Sequence, residues 1–208
     1  MQGLLMKSWK AKAIMEDPDR LWQTRRLSGL KEINKEPNRW EFIQWKYKMT
    51  GEITTGFYFK RDDGLEKVIK PRYKVGEVVY IKEAWLDNVI GCPNGLSYKL
   101  DHLDPKGDGP ANPMKWKSPM FMPEKFARTF RQITGVRSGR LQEITFADIY
   151  AEGCPLEVAT IFTDPAEGYE IKANAYEWYH DVWNSINPKY PWESNPWVLA
   201  YTTKRWEV

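Results

Sequence analysis

Cysteine and histidine are the residue types that this sequence has least of. Two cysteines, Cys92 and Cys154, lie far apart and in no CxxC or Cys/His spacing, and the histidines are His102 and His180. A disulfide framework or a zinc site requires more ligands than these. We therefore expect free thiols in a reducing compartment, no metal site and no cofactor. The count also argues against chemistry that depends on a histidine dyad.

Long apolar runs are missing as well. No stretch approaches the roughly 18 apolar residues that a membrane span needs. Lys7, Lys10 and Lys12 interrupt the N-terminal segment before an apolar stretch of signal-peptide length develops. We therefore expect a cytoplasmic protein with no membrane partner. Its 208 residues, 42% hydrophobic and 28% charged, predict a single folded domain over residues 1–208.

Charge of one sign is not in large excess. The 31 basic residues nearly balance the 28 acidic ones, and the net charge is +3. Basic residues are nevertheless concentrated in the first 75 positions, which is either a solvated surface or part of a nucleic-acid contact. Eleven tryptophans are the other unusual feature. Most should fill the interior, and a few in a basic groove would offer stacking surfaces for bases.

Alternation of apolar and polar residues predicts a β-rich core. Strands are predicted at Leu4–Lys7, Gln23–Leu27, Trp40–Tyr47, Thr55–Lys60, Val78–Trp85, Ala127–Leu141 and Trp197–Thr203. Turns are predicted at Thr50-Gly51-Glu52 and at Arg61–Gly64. Helices are predicted at Ser8–Met15 with Ser8 as N-cap, from about Thr145 to Glu152, and at Ala173–Ile186. Residues 86–118, rich in Gly, Pro, Asp and Asn, predict a long excursion with at most one strand around Leu96–Leu100.

Five stretches, in order, resemble the ASCH domains common in phages and prophages. They are Gln23-Thr24-Arg25-Arg26; Tyr73–Glu77 running into Ile81–Trp85; Ser118–Pro123 with Ala127-Arg128; Val136-Arg137 and Leu141–Ile144 with Asp148 and Ala151-Glu152-Gly153; and Trp183–Asn187 with Asn195–Val198. The resemblance covers nearly the whole chain. It implies an α+β fold, a PUA-like small β-barrel with two or three flanking helices, whose relatives bind RNA, modified bases or single nucleotides. Fold analogy alone does not assign a function.

One alternative that the resemblance implies is an amidohydrolase acting on N4-acylated cytidine. The family's threonine matches Thr24 and its glutamate matches Glu152, but its lysine falls on Leu21. Leucine cannot activate a threonine hydroxyl, so the sequence argues against this hydrolysis unless Lys12 or Arg20 enters the site. Arginine would be a poor base, because it stays protonated. In the non-functional interpretation, Thr24 is an ordinary strand residue and Glu152 is a solvated charge at a helix end.

The favoured interpretation is binding of a nucleotide, a modified base or single-stranded nucleic acid, with RNA favoured over DNA. Arg25 and Arg26 alternate along a strand, so one of them can face a pocket and contact phosphate or a base. Glu83 interrupts an apolar strand and, if buried, needs a partner such as Arg25 or Arg26. Trp85 is either a stacking surface or an interior filler. The residues predicted to bind are Arg25, Arg26, Lys82, Glu83, Trp85, Arg128 and Asn187.

A third alternative is a phage-type protein that occupies a host protein. The excursion over residues 86–118 would then be the contact surface, and a large exposed aromatic patch would support this interpretation. The sequence does not indicate an oligomeric state.

Overall fold

The computed structural model describes residues 1–49, 52–102, 115–155, 158 and 168–207. These residues form a mixed α+β structure with ten β-strands and three α-helices. The strands are β1 Gln2–Leu5, β2 Trp22–Arg26, β3 Trp40–Met49, β4 Glu52–Arg61, β5 Glu66–Ile69, β6 Val78–Lys82, β7 Trp85–Leu86, β8 Ser97–Tyr98, β9 Phe130–Arg140 and β10 Trp197–Arg205. The helices are α1 Ser8–Glu16, α2 Phe146–Glu152 and α3 Gly168–Ile186. Short 3-10 turns, such as Pro119–Phe121, connect them.

Backbone contacts divide the chain into two compact units. Unit 1 comprises residues 1–20, 76–133 and 204–208, and unit 2 comprises residues 21–75 and 134–203. The strands β9 and β10 each contribute residues to both units. The single domain predicted from the sequence stays a prediction, because these units are groupings of backbone contacts built from discontinuous stretches of chain.

Unit 1 contains a sheet with the strand order β1-β6-β9. The first two strands run parallel, with Leu4 beside Ile81, and β9 is antiparallel to β6, with Arg131 beside Val79. Side chains of a strand alternate between its faces, so these four residues share one face. All four are buried. One face of this sheet is therefore the apolar interior of unit 1, and Arg131 is a charged residue within it.

Unit 2 contains a sheet with the strand order β9-β10-β2 and a three-stranded antiparallel sheet, β3-β4-β5. One face of β10 carries Trp197 and Tyr201, and Trp197 meets Phe59 of β4 edge-on at 5.1 Å between ring centroids. The other face carries Val198, which belongs to the buried cluster formed with α2 and α3. The strand β10 thus has apolar side chains on both faces, which explains its nearly continuous apolar sequence.

The helix α2 has clear signals at both ends. Thr145 is its N-cap, and its side-chain oxygen accepts a hydrogen bond from the Asp148 backbone N–H at 3.2 Å. The Asp148 carboxylate accepts from the Thr145 backbone N–H at 3.1 Å, which completes a capping box. Gly153 ends the helix with φ of 110°, a backbone region that glycine adopts readily. The caps define where α2 begins and ends, which places Asp148 in its first turn and Glu152 at its last residue.

Most of the predicted elements are confirmed to within a few residues, including the turn at Arg61–Gly64, β2, α2 and β10. The helix α3 begins at Gly168 rather than at Ala173. The N-cap of α1 is Lys7, so the assignment of Ser8 was wrong. The strand predicted from Val78 to Trp85 is interrupted after Lys82, where the Glu83 N–H donates to the Met122 sulfur at 3.1 Å.

Two further predictions concern the excursion and the barrel. Within residues 86–118 the described chain contains β8, a 3-10 turn at Pro93–Gly95 and another at Lys99–His102, while residues 103–114 lie outside the described residues. The turn at Thr50-Gly51-Glu52 also falls partly outside them. The strands that are described form no closed barrel. No helix in the described part of the chain is long and apolar enough to cross a membrane.

Candidate functional site

An open cavity of about 680 Å³ lies in unit 1. Its lining combines cationic and aromatic side chains with apolar residues of α1. The lining residues are Ile14, Met15, Pro18, Arg128, Thr129, Phe130, Arg131, Arg205, Trp206 and Glu207. The residues around this space therefore include three arginines, two aromatic residues and one acidic residue, and its size is typical for small-molecule sites.

Backbone hydrogen bonds and one buried arginine shape this cavity. The Trp206 backbone N–H donates to the Phe130 carbonyl at 3.1 Å, which fixes the tryptophan beside β9. Arg131 has no exposed surface, and its guanidinium donates to the carbonyls of Pro18 and Arg20, the latter at 2.8 Å. The segment after α1 is thereby tied to β9. Burial lowers the pKa of Arg131 to about 10, so it remains charged at neutral pH.

Arg128 lines the cavity and also closes a hydrogen-bonded group of charges. Its Nε and Nη2 donate to the Glu83 carboxylate at 3.1 and 2.7 Å, and its Nη1 donates to both Asp101 oxygens at 2.8 Å. The guanidinium lies 4.1 Å from the ring centroid of Tyr98. Burial alone would lower the pKa of Arg128, but the hydrogen bonds that it donates to Glu83 and Asp101 raise it. Glu83 is buried and, as expected for that case, has an arginine partner, although the partner is Arg128 and not Arg25 or Arg26.

Trp85 and Lys82 have structural contacts of their own. Trp85 is 5% exposed, and Lys117 Nζ and the Phe126 ring lie 4.6 and 4.8 Å from its ring centroid. This supports the interior-filler interpretation rather than an open stacking surface. Its indole N–H is buried with no hydrogen-bond acceptor among the described residues. Lys82 donates to the Met120 carbonyl at 2.7 Å.

A second group of charges is buried in unit 2, between β2 and α2. Arg25 donates from Nη1 to Glu152 and lies within 3.0 Å of Asp148 through Nη2. Gln23, two residues before it on the same face, donates to Asp148 at 3.2 Å. The Arg25 side chain is 3% exposed, so it is an internal ion-pair centre and cannot meet a ligand without rearrangement. Arg137 contacts Asp148 from the exposed side at 2.5 Å.

The pKa shifts of Arg25 and Asp148 both favour the charged form. Burial alone would lower the pKa of Arg25, but Glu152, Tyr179 and Asp148 raise it above its ordinary value. Burial alone would raise the pKa of Asp148, but hydrogen bonds from Arg137 and the Thr145 N–H, with the charge of Arg25, lower it to about 2. Burial raises the pKa of the Tyr179 phenol, and Glu152 raises it further. Arg25 and Asp148 therefore form a largely buried ion pair near neutral pH.

Thr24 lies on the opposite face of β2 from this group. The register with β10 is regular, pairing Thr24 with Tyr201 and Arg25 with Ala200, so side chains alternate strictly. Since Gln23 and Arg25 contact α2, Thr24 faces away from Glu152. Thr24 is buried at 5% exposure, beside the face on which Tyr201 packs edge-on against Tyr73. The structure does not bring the two predicted catalytic residues together.

The remaining predicted residues have other surroundings. Leu21 is 57% exposed, and Lys12 pairs with Glu16 on α1 at 3.8 Å. Arg26 is half-buried, and burial lowers its pKa. The side chain and backbone N–H of Asn187 both donate to the Trp183 carbonyl, at 3.3 and 2.8 Å. Asn187 therefore caps the C-terminal end of α3.

No family model, curated protein or solved structure matches the chain. Among the described residues, no group of three or more His, Cys, Asp or Glu side chains could hold a metal ion.

Sequence reasoning found one member of the cavity lining, Arg128, and missed Arg131, Arg205 and Trp206. A signal for Arg131 exists, because it stands two residues before the apolar Ile133 on the buried face of an alternating strand. Arg205 and Trp206 follow the apolar part of β10 and carry no comparable signal. They line the cavity because the end of β10 lies beside β9, and this strand pairing cannot be inferred from neighbouring residues.

Proposed function

We propose that the protein binds a nucleotide, a modified base or single-stranded nucleic acid, with RNA favoured, in the cavity of unit 1. The observation that carries the proposal is the combination of Trp206 and Phe130 with three arginines around about 680 Å³ of open space. Aromatic faces stack on bases of any sequence. A guanidinium group can stack on a base or donate to its acceptor atoms. Trp206 is 41% exposed, so one part of its ring is accessible to a ligand.

The proposal includes membership of the ASCH group and a PUA-like barrel of the phage or prophage type. Contacts between the motif stretches support it. Glu83, from the second stretch, is hydrogen-bonded to Arg128, from the third. Arg25, from the first stretch, is paired with Asp148 and Glu152, both from the fourth. Residues that carry the resemblance are therefore neighbours within each unit, as expected if they form a shared structural framework.

Fluorescence anisotropy with short labelled single-stranded RNA and DNA tests the proposal, with unlabelled nucleosides as competitors. We expect binding at about 50 mM salt that weakens toward about 200 mM, because phosphate contacts release counterions. Trp206→Ala should weaken binding at least fivefold, since loss of a stacked base costs about 1–3 kcal/mol. Trp9→Ala is the matched control, because Trp9 is 40% exposed, belongs to unit 1 and is not among the lining residues.

Two outcomes contradict this proposal. Absence of binding at low salt to RNA, DNA and nucleosides alike would overturn it. Equal loss of binding in Trp206→Ala and Trp9→Ala would remove the cavity as the site. The amidohydrolase and host-protein alternatives stay predictions, and the first is tested directly below.

A further inference from the structure

We propose that the cavity of unit 1 receives an unpaired nucleobase stacked on Trp206, while the phosphates of the ligand remain outside it. This inference rests on the proposed function and specifies which part of the ligand the cavity recognises. The partners of the three arginines that line the cavity support it. Each guanidinium already has oxygen acceptors from this chain, so a phosphate would have to compete with them.

Arg128 is the most completely occupied of the three. All three of its guanidinium nitrogens donate to carboxylates, Nε and Nη2 to Glu83 and Nη1 to Asp101. One side of its plane lies over Tyr98. Two negative charges therefore surround one positive charge, and a phosphate arriving here would meet net repulsion at short range. The Arg128 side chain is still 26% exposed, so part of it remains accessible to a base.

Arg131 is occupied by backbone oxygens. Its donors reach the carbonyls of Pro18 and Arg20, and the residue is completely buried. Turning this guanidinium toward a phosphate would release the Pro18–Arg20 segment, which forms part of the cavity wall through Pro18. Arg131 is therefore a positioning residue that holds the shape of the site.

Arg205 is the most exposed of the three, and two carboxylates lie next to it. Its Nη1 is 3.3 Å from Asp19 and its Nε is 3.7 Å from Glu207. Glu207 also lines the cavity. Exposed pairs of this kind are weak, so Arg205 can change partners, but both acidic groups remain nearby and repel a phosphate. The charges around this arginine thus disfavour an anion inside the cavity.

The neutral surfaces of the cavity suit a base. Trp206 and Phe130 supply aromatic rings, and Ile14, Met15 and Pro18 supply apolar contacts. The tryptophan backbone is fixed by its hydrogen bond to Phe130. A planar, uncharged base gains stacking and loses little on leaving water, whereas a phosphate dianion loses its hydration without gaining an unopposed cation.

Competition with nucleosides and their 5′-monophosphates tests this inference, using the labelled oligonucleotide as reporter. If the base alone enters the cavity, the two inhibition constants for each base should agree within about threefold. A monophosphate that competes more than about tenfold better than its nucleoside would overturn the inference, while the proposed function would stand. If no oligonucleotide, nucleotide or nucleoside binds, the proposed function itself fails. The two failures are therefore distinguishable.

A variant without the two acidic groups next to Arg205 tests whether they repel a phosphate. In the double variant Asp19→Asn, Glu207→Gln the repulsion near Arg205 is removed, so the monophosphate should improve relative to the nucleoside by about three- to tenfold. A ratio equal to that of the wild type would contradict the electrostatic argument. Trp206→Phe keeps an aromatic ring and should retain most nucleoside binding, whereas Trp206→Ala should lose it. Equal behaviour of these two variants would overturn the stacking role.

Discussion

Arg128 Nη2 lies 2.7 Å from Glu83 Oε2, and the Glu83 side chain has no exposed surface. Glu83 lies between β6 and β7, and its carboxylate accepts a hydrogen bond from an arginine 45 positions later in the sequence. Removing one partner of such a pair leaves a buried charge without compensation, which costs far more than the pair itself contributes. The contact therefore fixes how the segment after β6 packs against the segment before β9.

The first prediction concerns this pair. Arg128→Ala should lower the free energy of unfolding by about 3 kcal/mol, because Glu83 would stay buried without its cationic partner. Asp101→Asn is the matched control at the same guanidinium and should cost less than about 1 kcal/mol, since Asp101 is 46% exposed. Adding Glu83→Gln to Arg128→Ala should recover part of the loss. Urea unfolding measures all four proteins, and equal effects of the two single variants would contradict the prediction.

The second prediction concerns Arg25, which lies between Asp148 and Glu152. Arg25→Met should lower the free energy of unfolding by about 3–5 kcal/mol, because two poorly exposed carboxylates lose their shared cation. Arg25→Lys should lose part of this amount, since an ammonium cannot reproduce the forked contact. Arg137→Met removes a cation that is 53% exposed and should cost less than about 1 kcal/mol. A smaller effect for Arg25→Met than for Arg137→Met would show that the buried pairs contribute little.

Only part of the site could be predicted from the sequence. Some features are specified by neighbouring residues, whereas others depend on contacts between residues that are distant in the sequence. The caps of α2 are local, so Thr145 and Gly153 could be recognised from neighbouring residues. The need of a buried Glu83 for a cationic partner could also be inferred, because Glu83 stands within an apolar run. The identity of that partner could not, since nothing local distinguishes Arg128 from Arg25. The barrel implied by the resemblance depends on strand pairing at long range, which no local pattern specifies.

The third prediction is a pH dependence of stability from Asp148. Its pKa in the folded protein is about 2, below the ordinary value of about 4. The stabilisation is therefore complete above pH of about 4 and is lost as the pH falls toward 2. We expect the urea midpoint of the wild type to fall over this interval, and to fall less in Asp148→Asn. The exposed Glu41→Gln serves as the carboxylate control. Parallel profiles for wild type and Asp148→Asn would contradict the prediction.

The fourth prediction concerns His180 on α3. Hydrogen bonds to Glu193 and Asp181 raise the pKa of this exposed imidazole above 6.5. A raised pKa means that the contact stabilises the fold below about pH 6.5 and is lost as the pH rises through the folded value. Imidazole NMR titration measures it, and with two histidines in the chain the signals are readily assigned. Glu193→Gln should lower the pKa of His180 more than Asp181→Asn does, and an unchanged pKa in both variants would contradict the assignment.

The fifth prediction separates binding from the hydrolase alternative. Hydrolysis by a threonine and a glutamate requires the two side chains to meet at one substrate. Thr24 and Arg25 point to opposite faces of β2, and it is the face of Arg25 that meets Glu152. Thr24 is also buried, and the position that would supply the lysine is an exposed leucine. We therefore expect no release of acetate from N4-acetylcytidine, measured by chromatography of the nucleoside at high protein concentration.

Thr24→Val is the matched variant for that assay, because it removes the hydroxyl and keeps the shape of the side chain. If the wild type hydrolyses N4-acetylcytidine and Thr24→Val does not, Thr24 is a nucleophile and the alternation argument for β2 fails. If both hydrolyse it equally, the activity belongs to other residues. Under the binding proposal, N4-acetylcytidine competes for the cavity in unit 1 and is recovered unchanged. Trp206→Ala then weakens that competition while Thr24→Val leaves it intact, because Thr24 does not line the cavity.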